Sequence, residues 1–306
     1  MSKPSQTKRI LVPLDLNQTG EDLLYYAGQL AHALGAELYL FHACKTADLT
    51  FTQQSSCIQK LRSFAERVFS REFNAAKAAA PFDCVVRPGQ IRDGIQSVVQ
   101  DYQIDLVLME AGVKSPQGLS GKAADHAAAI MELISCPVMV VPAMARYKKI
   151  KHLVFATDFT DQQPTVLFQI ADFAQALKAK LTLVQVYSEE ERTQLCSYKA
   201  AMLELEKKLN GREVELKLLE EEDVLEGISE FAEIACADML ILATQDNFLM
   251  ERLFSSNYMK TLAYHTRIPL LTFRQQKKKP CAGCCLNCAK KQKEMQNQQI
   301  TGQMNG

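Results

Sequence analysis

Short apolar runs alternate with longer amphipathic stretches along this chain, and the whole alternation is written twice. The first run, Ile10–Leu11–Val12–Pro13–Leu14–Asp15, is entered from Lys8–Arg9 and ends in a carboxylate. A run of that length, followed by helical spacing, reads as a buried strand of a parallel sheet. Proline donates nothing to a ladder, so Pro13 belongs at the carboxyl end of the strand. Asp15 then falls on the rim where open α/β sheets bind ligands. Behind it, Asn17 or Thr19 can cap a helix whose apolar positions Leu23, Leu24, Ala27, Leu30, Ala31 and Leu34 share one face, with Gly35 as its C-cap.

The pattern predicts further strands over 37–42, 82–87, 104–109 and 137–141. Helices are predicted over 55–80, 90–102 and 123–134, with a loose polar stretch over 47–54 and a glycine-containing loop over 111–122. The second half predicts strands over 151–156, 180–187, 212–218, 238–243 and 268–273, alternating with helices over 162–178, 190–209, 223–236 and 257–265. Strands joined by crossover helices in this order imply parallel sheets covered on both faces.

The repetition holds residue by residue. Asp93–Gly94–Ile95 and Asp105–Leu106 match Glu226–Gly227–Ile228 and Asp238–Met239 at an offset of 133, whereas Asp15 and Asp158 differ by 143. The ten-residue drift is expected to fall between the second strand and the second helix, where the first half carries its extra polar stretch. A period of this size means duplicated domains, not a solenoid. The expected division is 1–146 and 147–274, with a tail over 275–306. Val138–Val141 is apolar throughout and comes last in its half, and an exposed apolar edge invites aggregation. Pairing it with Leu270–Phe273 would join the halves through their fifth strands. Association of two whole chains into a homodimer stays open.

Composition narrows the function classes. Hydrophobic residues make up 47%, enough for two cores, and the formal net charge is zero, so no global basic field points to nucleic acid. From Arg274 onward there are seven Lys/Arg against the single Glu294, leaving the tail at +6 and the body at −6. No apolar segment near the amino terminus is long enough for a signal peptide or membrane span, so a cytoplasmic location is expected. Reduced thiols follow for the scattered Cys44, Cys57, Cys84, Cys136, Cys196 and Cys236.

These strands, the two Gly–Ile helix starts, and Cys136–Pro137–Val138 with its counterpart Ile268–Pro269–Leu270 resemble the universal stress protein family in its tandem form, over roughly residues 8–273. The resemblance implies a Rossmann-like α/β fold with five-stranded sheets of order 3-2-1-4-5 and dimerisation through strand five. Some members bind ATP. Those carry Gly, two residues, Gly, nine residues, then Gly followed by Ser or Thr, since glycines admit phosphates to the backbone and a helix N-terminus offers free N–H groups.

This chain departs from that pattern. In the first half Gly112 stands for the first glycine, Ser115 takes the second place, and the final pair becomes Asp125–His126 or Ala124–Asp125, where a carboxylate would repel phosphate. Gly118, Gly121 and Lys122 could form a different anion cradle. In the second half Thr244–Gln245 and Asn247–Phe248 replace the early glycines, and Ser255–Ser256–Asn257 keeps a polar turn that could cap the last helix. Asp15 and Asp158, with Ala43 and Val186 ending the second strands, match the family's adenine-side positions. Each aspartate could equally cap the helix that follows it.

Other constellations are weak. The five histidines show no spacing of a metal site or triad, and no Gly-x-Ser-x-Gly or His-Glu-x-x-His occurs. Glu220–Glu221–Glu222–Asp223 reads as an acidic, solvated first helical turn in preference to a metal cluster. The tail holds Cys281, Cys284, Cys285 and Cys288, two Cys-x-x-Cys pairs end to end between lysines. Four thiolates could hold zinc or act in redox chemistry. Structural zinc sites usually set their pairs a dozen or more residues apart, and a Gln/Asn/Lys-rich surround is expected to be disordered. The leading expectation is a cytoplasmic tandem stress-response protein that acts by binding and interaction with unknown protein partners, not by turnover, with degenerate nucleotide-binding loops and no catalytic site. The alternative is an ATP-binding protein with slow hydrolysis or phosphotransfer through the first-half loop. A third reading makes the tail a thiol or zinc sensor on an inert scaffold.

Overall fold

Every strand predicted from the apolar runs is present in the computed structural model, which describes residues 7–14, 20–44, 46, 48–72, 80–110, 129–131, 133–142, 145–159, 164–244 and 268–274. The first half runs β1 (Arg9–Pro13), α1 (Gly20–Leu34), β2 (Glu37–Cys44), α2 (Phe51–Glu72), β3 (Phe82–Pro88), α3 (Ile91–Asp101), β4 (Leu106–Glu110) and β5 (Val138–Val141). The second runs β6 (His152–Ala156), α4 (Pro164–Leu177), β7 (Lys180–Tyr187), a 3₁₀ turn (Glu189–Gln194), α5 (Leu195–Lys208), β8 (Val214–Glu220), α6 (Val224–Ile234), β9 (Met239–Thr244) and β10 (Leu270–Arg274). Pro13 is the last residue of β1, where its missing N–H costs no internal ladder bond.

Strand order is β3-β2-β1-β4-β5-β10-β9-β6-β7-β8, so each half is the 3-2-1-4-5 sheet and the two join through their fifth strands. All pairings are parallel within a half. The seam is antiparallel, with Leu270 opposite Val140, Leu271 opposite Met139 and Thr272 opposite Val138. Thr272 is buried there, and its hydroxyl donates to the Val138 carbonyl at 3.0 Å.

Alternation along the strands divides the core. Ile10, Val12, Leu153 and Phe155 point into one cluster that also takes in Leu30, Ile170, Met139 and Leu271, so a single core covers one face of both halves. Leu11, Phe41 and Val107 face the opposite way onto α3, and Val154, Val184 and Leu240 onto α6, giving that face two separate cores. Tyr26 of α1 and Tyr147 of the connecting segment meet edge to face at 5.2 Å.

Several local devices explain the boundaries. Gly35 closes α1 at φ +61°, and the equivalent place after α4 is held by Lys178 at φ +54°. Asp105 accepts from the Arg9 amide at 2.8 Å, and Asp238 accepts from the Lys151 and His152 amides at 2.7 and 3.0 Å. Each aspartate thus ties the start of a fourth strand to the start of the first. Three predicted boundaries are corrected. The second helix begins at Phe51, not 55, because Thr50 and Gln53 form a reciprocal cap: the Gln53 amide donates to the Thr50 hydroxyl at 3.3 Å, and Gln53 Oε1 accepts from the Thr50 amide at 3.0 Å. Nor is Ala80 helical. The helix expected over 190–209 opens instead with the 3₁₀ turn, whose Glu191 carboxylate accepts from the Ser188 amide at 3.0 Å. Residues 129–131 and 133 are helical, while the rest of the helix expected over 123–134 and that expected over 257–265 lie outside the described residues, as do the loop over 111–122 and the tail.

The repeated glycine marks a close helix–strand approach. A Cβ on Gly227 would stand 2.9 Å from Glu221 Cβ and 3.2 Å from Val186 Cγ1, and one on Gly94 3.3 Å from the Phe41 ring. The obstacle at Gly227 is a carbon attached directly to backbone, so Gly227→Ala is expected to lower unfolding stability by about 1–3 kcal/mol in urea titration, although Ala favours the helix. Gly94→Ala, which meets side-chain atoms at looser distances, should cost less.

Candidate functional site

In a 3-2-1-4-5 sheet the connections turn opposite ways from strands one and four, leaving a crevice beyond their carboxyl ends. This molecule has two such mouths, at β1/β4 and at β6/β9. In the first, the Leu14 amide donates to the Phe41 carbonyl at 2.8 Å. His42 Nδ1 lies 2.9 Å from the Leu14 carbonyl, and since a carbonyl only accepts, that nitrogen carries the proton. In the second mouth the Thr157 amide donates to the Val184 carbonyl at 3.0 Å. Gln185 then accepts from the Phe159 amide at 2.9 Å. His42 and Gln185 correspond at the same offset of 143 as Asp15 and Asp158. In both halves, therefore, a polar side chain on the second strand holds the segment that leaves the first strand.

In the second half two aromatic side chains meet at the end of the second strand. Tyr187 ends β7, and its ring lies 6.2 Å from that of Tyr198 on α5. The Tyr187 hydroxyl donates to Glu220 at 3.2 Å, and Arg192 is bonded to both Glu220 and Glu189. Arg192 holds the Glu220 carboxyl below the usual carboxylate range. Tyr198 is buried, its phenol pushed up first by that burial and then by the carboxylates of Glu191 and Asp158.

At the first mouth, the Cys44 carbonyl, at the end of β2, accepts from the Gly89 amide at 2.8 Å. That bond ties the strand end to the turn into α3. The Cys44 thiol lies 3.2 Å, sulfur to sulfur, from Cys57 on α2.

Of the residues singled out from sequence, Ala43, Asp158 and Val186 are described. Ala43 stands opposite Arg87 near the end of β2, Val186 opposite Leu219 near the end of β7, and Asp158 is exposed just beyond β6. Asp15, Gly112, Ser115, Gly118, Gly121, Lys122, Ser255, Ser256, Asn257, Cys281, Cys284, Cys285 and Cys288 lie outside the described residues. The acidic run 220–223 is dispersed: Glu220 belongs to β8, Glu222 accepts from the Glu189 amide at 3.0 Å, and Asp223 caps α6 through the Leu225 and Glu226 amides at 2.9 and 3.2 Å. Among the described residues no three His, Cys, Asp or Glu side chains converge as metal ligands. His152 is engaged at both ring nitrogens, by the Ala235 carbonyl at 2.9 Å and the Thr182 hydroxyl at 2.8 Å. Sequence reasoning missed His42, Gln185 and the Tyr187–Tyr198 pair. A polar residue recurring at a fixed offset near the end of two apolar strands was the available signal.

The fold and its two strand-end mouths define a tandem Rossmann-like α/β protein. The family model described as Universal stress protein family matches residues 6–142 and again 149–274, and the chain belongs to that family. A universal stress protein from Archaeoglobus fulgidus superimposes with a TM-score of 0.59 at 16% identity, over 88% of this chain and 99% of that one. A Pseudomonas aeruginosa protein of unknown function gives 0.58 at 16%, over 88% and 92%. The cytoplasmic domain of a prokaryotic cation chloride cotransporter gives 0.51 at 10%, over 87% and 95%. At these identities the likeness is one of fold. A comparison with curated proteins returned no match. No helix among the described residues is long and apolar enough to cross a membrane.

Gln185 is 5% exposed, so its loss leaves the Phe159 amide without a partner in a dry site. Gln185→Ala is expected to cost about 1–3 kcal/mol, read from the urea midpoint at unchanged slope.

Proposed function

We propose that this protein is a cytoplasmic stress-response binding protein that acts through occupancy and interaction, not turnover, with domains over 1–146 and 147–274 and a separate tail over 275–306. The observation that carries the reading is the make-up of the two loops that would grip phosphate: in the second half Thr244–Gln245 and Asn247–Phe248 stand where the early glycines would. In the first half, the loop that would grip phosphate has Ser115 for a glycine and Asp125 at or beside the final glycine. The glycine pattern that makes phosphate approach easy is degraded in both halves, and each mouth serves as a shaped surface for partners.

The second reading is adenine nucleotide binding with slow hydrolysis in the first half alone. It is favoured by the concentration of Gly112, Gly118, Gly121 and Lys122 in the stretch of sequence that follows β4.

Titration with Mg-ATP separates the two. A ligand at about a hundred times its Kd adds ~2.7 kcal/mol to native stability, a shift of several degrees in melting temperature for a protein of this size. The proposal expects no such rise at millimolar Mg-ATP and phosphate release no faster than the protein-free blank. A rise of several degrees that Gly121→Asp abolishes would establish the second reading instead.

A further inference from the structure

Cys44 and Cys57 are the one close thiol pair among the described cysteines, and neither is in a disulfide. Cys44 is the last residue of β2, Cys57 sits on α2, and 13 positions of chain separate them. Their sulfurs are 3.2 Å apart, so closing to a bond of about 2.05 Å needs only a small shift. The second half shows what this seam does structurally. There Tyr187, the last residue of β7, packs against Tyr198 on the following helix. Both halves thus strap the end of the second strand to the next helix, one with two rings and the other with two thiols.

We propose that Cys44 and Cys57 form a reversible disulfide when the protein meets a peroxide, a covalent strap between the end of β2 and α2. Cys57 is the half-buried member and meets the oxidant, whereas Cys44 is buried. The Cys57 thiolate attacks one peroxide oxygen, forming a sulfenic acid and releasing water once the proton is returned. The Cys44 sulfur then displaces hydroxide from the Cys57 sulfur, and that hydroxide leaves as water with the Cys44 proton. Two thiols lose two electrons, and the peroxide O–O bond takes them. Burial, and after it the neighbouring Cys57, pushes the Cys44 thiol up to about 11, which suits the resolving partner better than the first nucleophile. The strap holds α2 to a strand end already tied to the turn at Gly89, whose amide bonds the Cys44 carbonyl. This site stands apart from the nucleotide reading and is tested without any nucleotide.

The full-length protein is treated with a few equivalents of hydrogen peroxide, blocked with N-ethylmaleimide under denaturing conditions, and mapped by peptide mass spectrometry. The expected product is a peptide pair linked through Cys44 and Cys57. Melting temperature should rise by several degrees on oxidation and return on adding dithiothreitol, since the cross-link restricts the unfolded chain. Cys57→Ser, a near-isosteric change on a half-buried surface, should lose both the linked peptide and the rise. The proposal is overturned if Cys44 stays fully alkylatable while Cys57 proceeds to sulfinic acid, if either cysteine links to a tail cysteine instead, or if the rise persists in Cys57→Ser.

Discussion

The antiparallel pairing of β5 with β10 is the contact on which the rest of the molecule depends. Each strand is apolar and last in its half, and each would otherwise present unpaired amides and carbonyls at a hydrophobic edge. Paired, they bury Val138, Met139, Leu271 and Thr272 and turn two five-stranded sheets into one of ten. The Thr272 hydroxyl bonded to Val138 satisfies a polar group that this burial would otherwise strand. Because the sheet is continuous, the core on one face runs without interruption from Leu24 to Ile170, while the opposite face keeps two cores. Residues through Arg274 accordingly form one compact unit despite the duplicated sequence.

Duplication shows most clearly in the places where backbone geometry leaves little choice. Gly94 and Gly227 recur because a helix crosses a strand too closely for a side chain. Asp105 and Asp238 recur because the amides opening the first strands need an acceptor at the same place. Gln103 and Cys236 both sit at φ +49° after their helices, and Lys178 holds the left-handed place that Gly35 holds in the first half. Those last positions show that the conformation is kept even where the residue best suited to it is not, so the surrounding packing sets the turn.

The two halves differ at their mouths. In the second, two tyrosines, Glu220 and Arg192 knit the strand end to the helix beyond it. In the first, the same strand end carries a thiol facing a second thiol. One framework therefore supports two different closures, and the chemistry of each lies in side chains at the strand ends, not in the sheet that carries them.

Sequence by itself determined the strands, their parallel direction, the duplication and the seam, because each rests on local periodicity or on the cost of an exposed apolar edge, while the 3-2-1-4-5 order came from the family resemblance. Pro13 at its strand end and the apolar face of α1 followed from single-residue physics in the same way. Periodicity was weaker at helix starts: the Thr50–Gln53 cap began α2 earlier than its apolar spacing suggested. Tertiary structure alone decided that His42 and Gln185 hold the segments leaving the first strands, that Tyr198 packs on Tyr187, and that Cys44 meets Cys57. Those meetings join residues on different elements whose distance along the chain carries no information about direction. Only folding the helices back over the sheet brings the groups into reach.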